Sequence, residues 1–249
     1  MKKQHDAVIE VMQSNGGYST LGHLYQKVLQ VPNVEWKTKT PFASIRRIVQ
    51  DSRFFFKIRP GLWALKEHRD KLPAEIMPAG KQAKPVETEF GHSFYQGLLL
   101  EIGNLRKLQT HVAMQDKNKK YLDRRLGDVA SLTEMPEFGF LPLVKKASSV
   151  DVVWFNDRNM PHSFIEVEHS TDIYNSLLKF LELQDFNSGF CIVADKSRSR
   201  EFQSKLMSTA FKDIKRRTTF FDYDKTSLWH TKLFELANIE GTLTGEGMR

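Results

Sequence analysis

Three carboxylates constrain this chain more than any other feature. Asp151 lies in V-D-V-V-W-F, and Glu166 and Glu168 lie in F-I-E-V-E. Fourteen residues separate Asp151 from Glu166, room for a strand, a tight turn and a second strand. Asn156-Asp157-Arg158-Asn159-Met160-Pro161 supplies the turn chemistry. Glu166 and Glu168 are two apart in a strand and so share a face, and a hairpin partner brings Asp151 alongside. Alternating acids usually mark the solvated face of a half-buried sheet. Here Val150, Val152 and Val153 flank one acid, and Phe164, Ile165 and Val167 flank the others, as in a largely buried sheet. No Lys or Arg interleaves them. Buried carboxylates that repel one another need a cation, and a hard divalent ion such as Mg²⁺, with Mn²⁺ as its substitute, is the expected one.

A chain of 249 residues with 40% hydrophobic content can bury a real core and is expected to form two domains. No apolar run is long enough to span a bilayer, and the start at Met1 leads into an amphipathic segment, so a cytoplasmic protein without a membrane partner is expected. The single cysteine, Cys191 in F-C-I-V-A, excludes an intramolecular disulfide, fits a reducing compartment and reads as a small core residue. No His/Cys spacing of the zinc type occurs. Of the net charge of +7, residues 1–68 hold +6, from 11 basic and 5 acidic side chains. So basic a segment suggests a polyanion such as nucleic acid, although a solvated basic face without a partner has the same composition.

The first domain, expected over residues 1–68, reads as three helices and a hairpin. Ala7, Val8, Ile9, Val11 and Met12 make one apolar face, ended by Ser14-Asn15-Gly16-Gly17. Thr20 is expected to cap a second helix buried through Leu21, Leu24, Val28 and Leu29. Thr40-Pro41 opens a third, with Phe42, Ile45, Ile48 and Val49 inward. Two strands then pair across Arg59-Pro60-Gly61. This order is that of a winged helix, whose third helix enters the major groove. Ser44, Arg46 and Arg47 lie on its polar side, Lys37 and Lys39 just before it, and Arg53, Lys57 and Arg59 on the hairpin. All eight are expected DNA contacts, and a protein-binding winged helix is the alternative.

Residues 69–87, with Pro73, Pro78, Gly80 and Pro85, read as a linker, and 241–249 as a flexible tail. The second domain, 88–240, opens with a long helix to Leu108, with Phe94, Leu98, Ile102 and Leu105 inward. A strand at 111–114 and a basic-rich insertion follow, with Lys119, Arg124 and Arg125 as further DNA contacts. After the acidic hairpin come a helix over 171–185 capped by Ser170 or Thr171, a strand at 190–194, a helix near 200–208, a strand at 219–223 and a helix near 225–237. The sum is an α/β fold with a mixed sheet flanked by helices.

T-P-F-A-S-I-R-R-I-V-Q-D followed by F-F-F-K-I-R-P-G-L-W-A-L-K resembles the HARE-HTH winged helices, over about residues 5–67. Helix, strand, D-x14-E-V-E on a hairpin, helix and strand resembles the PD-(D/E)XK nuclease superfamily, which includes many restriction endonucleases, over about 89–224. That resemblance implies metal binding by Asp151 and Glu166, and it implies a helix acid, for which Glu101 in L-L-L-E-I-G is the matching position. The pattern departs at Glu168, where a lysine is usual. Glu168 or Lys179 on the next helix would take its place. The implied activity is Mg²⁺-dependent hydrolysis of double-stranded DNA by a type II restriction endonuclease, with a homodimer or sequential nicking needed for a double-strand cut. A catalytically inactive DNA-binding regulator and a non-enzymatic interaction protein are the alternatives.

Overall fold

The computed structural model describes residues 2–77, 85–169 and 171–244, and these divide into two compact units: Met1–Glu87 with Ser227–Arg249, and Thr88–Thr226.

The first unit is built from α1 (Gln4–Ser14), β1 (Tyr18–Thr20), α2 (Leu21–Lys27), α3 (Pro41–Val49), β2 (Phe55–Arg59) and β3 (Leu62–Leu65). Ala7, Val8 and Met12 of α1, Leu24 and Tyr25 of α2 and Ile45 and Val49 of α3 form its core. The Thr20 hydroxyl caps α2 by accepting from the His23 amide at 3.2 Å. Thr40 was expected to do the same for α3 but makes no side-chain cap; its hydroxyl meets that of Thr38 at 3.3 Å. The three strands form an antiparallel sheet of order β1-β3-β2, and Gly61, at φ +88°, makes the tight turn between the last two. Within the expected linker, Leu72 and Ile76 are buried, and residues 78–84 lie outside the described ones.

The second unit begins with α4 (Pro85–Leu105), followed by β4 (Gln109–Val112), β5 (Lys120–Tyr121), β6 (Arg124–Arg125), α5 (Leu126–Val129) and α6 (Leu141–Ala147). Then come β7 (Val152–Phe155), β8 (Pro161–Glu168), α7 (Ile173–Glu182), β9 (Gly189–Ala194), α8 (Ser199–Leu206), β10 (Thr218–Asp222) and α9 (Tyr223–Thr244). Five strands form one mixed sheet in the order β10-β9-β8-β7-β4. β8, β9 and β10 run parallel through helical crossovers, while β7 pairs antiparallel with both neighbours. This is the expected mixed sheet flanked by helices.

Core packing explains the helices beside it. Ile173, Leu177 and Phe180 of α7 pack with Phe164, Phe190 and Ile192 of the sheet. α4 is buried on nearly every side from Ser93 to Leu100, more than its one apolar stripe predicts. At Gly97 a Cβ would collide with the Tyr121 ring, so the β5–β6 hairpin reaches α4 only because that position lacks a side chain. β4 starts two residues before the expected strand. α7 is capped by Asp172, whose carboxylate accepts from the Tyr174 amide at 2.9 Å, and not by Thr171; Ser170, the other expected cap, lies outside the described residues. Cys191 is free and only half-buried by area, with its thiol pushed up to about 11 by desolvation. The final helix, expected wholly in the second domain, has its residues from Ser227 onward in the first unit, where Phe234 and His230 lie against Gly22.

Candidate active site

The strand register brings the acids together. Val152 pairs with Ile165 and Val153 with Phe164, so the antiparallel ladder extends to put Asp151 opposite Glu166. Asp151 uses its side chain here: Oδ2 accepts from the Val167 amide at 2.8 Å. All three acids are buried, Asp151 to 6% exposure and Glu166 and Glu168 to 3% each. Such burial costs several kcal/mol per charge unless each carboxylate has partners.

Glu166 and Glu168 share a face and the Ser176 hydroxyl, which lies 3.4 Å from Glu166 Oε2, but otherwise have different partners. Glu166 pairs with Lys179 of α7, whose Nζ lies 2.8 Å from Oε1 and 3.0 Å from Oε2 and also donates to the Ser149 carbonyl at 3.2 Å. Burial, then the field of Asp151, pushes the Glu166 carboxyl well above the ordinary range, against the pull of Lys179. Burial works against the Lys179 ammonium, but Glu166 outweighs it and raises the amine. Glu168 instead accepts hydrogen bonds from the Thr171 and Ser176 hydroxyls. Arg198 Nη1 is 4.0 Å from its carboxylate and 3.2 Å from its backbone carbonyl.

Three residues missed in the sequence, His92, Gln96 and Asp116, form a linked cluster that reaches Asp151. His92 Nε2 is 3.4 Å from Asp151 Oδ2 and 4.0 Å from Asp116 Oδ2. Ligand atoms of His92, Asp116 and Asp151 all lie within 4.8 Å of one another. Gln96, one helical turn beyond His92, donates from Nε2 to Asp116 Oδ2 at 2.7 Å, and Lys119 Nζ meets Asp116 Oδ1 at 2.8 Å. Burial lowers His92, but the hydrogen bond and charge of Asp151, with that of Asp116, raise it above the ordinary histidine value overall. The available sequence signal was polar His92, Ser93 and Gln96 interrupting an apolar helix.

Glu101, the expected helix acid, is nine positions beyond His92, about 13 Å further along the helix axis. Its carboxylate accepts from the Tyr121 hydroxyl at 2.7 Å and from Arg124 Nη2 at 2.6 Å, so it faces the β5–β6 hairpin. Among the expected DNA contacts, Lys37, Lys39, Arg47, Arg53, Lys57, Arg124 and Arg125 are exposed, and Ser44, Arg46, Arg59 and Lys119 are partly buried. Arg46 is bound by Glu235 of α9 and lies 3.4 Å from the Tyr25 hydroxyl. Arg59 donates to the Ile76 carbonyl at 3.2 Å, and Arg53 pairs with Asp51 at 2.6 Å.

A five-stranded mixed sheet with buried acids on its central hairpin is a restriction-endonuclease-like α/β fold. Residues 71–243 match the family of the type II restriction enzyme NmeDI C-terminal domain, and the chain belongs to that family. The type II restriction enzyme NmeDI of Neisseria meningitidis serogroup C is 25% identical over 158 residues, which cover 59% of this chain and 44% of that protein. The chain thus spans less than half of that relative, and no solved structure matches.

Proposed function

We propose that this protein is a divalent-metal-dependent endodeoxyribonuclease of the type II restriction class that hydrolyses double-stranded DNA. The observation that carries the reading is the buried Asp151–Glu166–Lys179 constellation in a chain of this family. The donor set fits a hard cation: two oxygen ligands are crowded enough that the field of Asp151 raises the cost of ionising Glu166. Asp151 and Glu166 would hold it. A divalent ion there supplies Lewis acidity toward the phosphodiester and lowers the pKa of a bound water.

The remaining roles belong to the chain itself. Lys179, held at Glu166 and kept protonated by it, would stand in, from a helix, for the lysine that the resembled pattern carries on the strand at position 168. It would bind a non-bridging phosphate oxygen or hold the attacking water. Glu168, engaged by Thr171 and Ser176, ties the start of α7 to β8 and so positions Lys179. The first unit, with its winged-helix order, would supply phosphate contacts from Lys37, Lys39, Arg47, Arg53 and Lys57, and Arg124 and Arg125 would add others.

Plasmid cleavage with Mg²⁺ or Mn²⁺ tests the reading, with Glu166→Gln as control. Cutting by the wild type and none by the variant is the expected result. The Lys179–Glu166 pair also favours a second reading, a DNA-binding protein whose ammonium has replaced the metal; it predicts no cleavage and no heat of Mg²⁺ binding.

A further inference from the structure

We propose that His92, Asp116 and Asp151 form a second cation site, selective for first-row transition ions such as Mn²⁺ or Co²⁺ over Mg²⁺. It shares Asp151 with the proposed nuclease centre but does not depend on Glu166 or on catalysis.

Three segments converge to build it. His92 projects from α4, Asp151 precedes β7, and Asp116 ends the short turn Met114–Asp116 that leaves β4. The backbone locks the last two together: the Ala113 amide donates to the Asp151 carbonyl at 3.3 Å, and the Asp116 amide to the Ala113 carbonyl at 2.8 Å. With metal–ligand bonds of about 2.1 Å, neighbouring donors stand roughly 3.0–3.5 Å apart. The His92–Asp151 separation of 3.4 Å already satisfies this, and the His92–Asp116 separation of 4.0 Å needs only a side-chain adjustment.

Gln96 is the independent sign of a ligand. It is fully buried, its Nε2 holds Asp116, and its Oε1 has no hydrogen-bond partner among the described residues. A buried amide oxygen without a partner costs about 1–3 kcal/mol, and a cation or its bound water at Asp116 would satisfy it. Lys119 competes for Asp116, but its side chain is 29% exposed and has Glu89 3.8 Å away as an alternative.

The donor set gives the selectivity. Mg²⁺ favours oxygen ligands and retains its waters, whereas an imidazole nitrogen beside two carboxylates suits Mn²⁺, Co²⁺ or Zn²⁺. Neutral His92 would bind through Nε2.

The test is calorimetric titration of the full chain with Co²⁺ and with Mg²⁺, for wild type, His92→Asn, Asp116→Asn and Glu166→Gln. His92→Asn and Asp116→Asn should weaken Co²⁺ binding at least tenfold and leave Mg²⁺ binding within threefold. Glu166→Gln should do the reverse. Co²⁺ binding unchanged in both His92→Asn and Asp116→Asn overturns the proposal, whereas loss of Mg²⁺ binding in the wild type alone overturns the nuclease-centre reading and leaves this one standing. Should His92→Asn or Asp116→Asn fail to fold, Glu166→Gln decides, because it removes the other centre: Mn²⁺ must still broaden a histidine resonance in it that Mg²⁺ leaves sharp, and broadening of none refutes the site.

Discussion

The two units treat charge in opposite ways. In the first, most cations sit at the surface: Arg53 is 78% exposed even while paired with Asp51, and Lys37 is 75% exposed beside Glu35. In the second, the decisive charges are acids at 3–6% exposure, each held by hydrogen-bond donors of the fold. A surface pair contributes little and is screened by salt, whereas a buried one is costly unless fully satisfied. The first unit's charge is therefore available to a polyanion at little cost. The second unit's charge is the proposed site, and changing it should have large and specific effects.

The largest expected effect tests that site. Asp151→Asn and Glu166→Gln should each lower DNA cleavage by more than about a thousandfold while DNA binding persists, because each removes a proposed metal ligand and some repulsion toward phosphate. A variant cutting within tenfold of wild type would reduce the acids to structural groups.

Next comes the pair of glutamates. Lys179→Met should cost about a hundredfold in cleavage. It also leaves Glu166 without its ammonium, with roughly 1–3 kcal/mol of stability lost, discounted because Lys179 is 31% exposed. Glu168→Gln keeps an acceptor for Thr171 and Ser176 and should cost tenfold or less. Parity between the two variants in a cleavage assay would return Glu168 to a catalytic role.

A third outcome concerns stability in the second unit. Burial, helped by Lys117, lowers the His111 imidazole to about 4, and its Nδ1 has no hydrogen-bond partner among the described residues. The unfolded chain protonates near 6.5, so between about 6.5 and 4 the unfolded state binds the extra proton. Stability from this residue is complete above about pH 6.5 and is lost as pH falls, by about 2 kcal/mol at pH 5. His111→Val, opposite Val153, should flatten that slope in denaturant melts at pH 7 and pH 5. An unchanged slope would show that other groups carry it.

Much of this was legible in the sequence. The acidic hairpin, the order of the elements and the apolar faces follow from two-residue and helical periodicity. The site was legible only on its strand side. Asp151 and Glu166 announce themselves as acids among β-branched neighbours, and their pairing follows from register. His92, Gln96 and Asp116 do not, because helix packing and a short turn bring them together from separate segments. Glu101 misled for the same reason: an acid interrupting an apolar helix reads as aimed at the site, but the β5–β6 hairpin, placed by Gly97, supplies Tyr121 and Arg124 instead. Arg46 shows the same limit, since nothing near α3 in sequence foretells Glu235.

That contact yields the smallest and most discriminating prediction. Arg46 and Arg47 are neighbours on α3, and by composition either could grip DNA. Arg47 is exposed, while Arg46 is one-third exposed and bound to Glu235, which Lys232 also meets at 2.8 Å. Moving Arg46 onto a phosphate would strip Glu235 of a partner at 17% exposure, offsetting much of what the phosphate contact contributes. Arg47→Ala should therefore weaken binding of the full chain to duplex DNA several-fold and lower the slope of log K against log salt by about 0.9. Arg46→Ala should leave affinity within twofold and destabilise the first unit by about 1 kcal/mol. Fluorescence anisotropy at three salt concentrations separates them. Equal losses of affinity and slope would mean that Arg46 leaves Glu235 for DNA, and the contrast between a free surface charge and a committed one would fail at this helix.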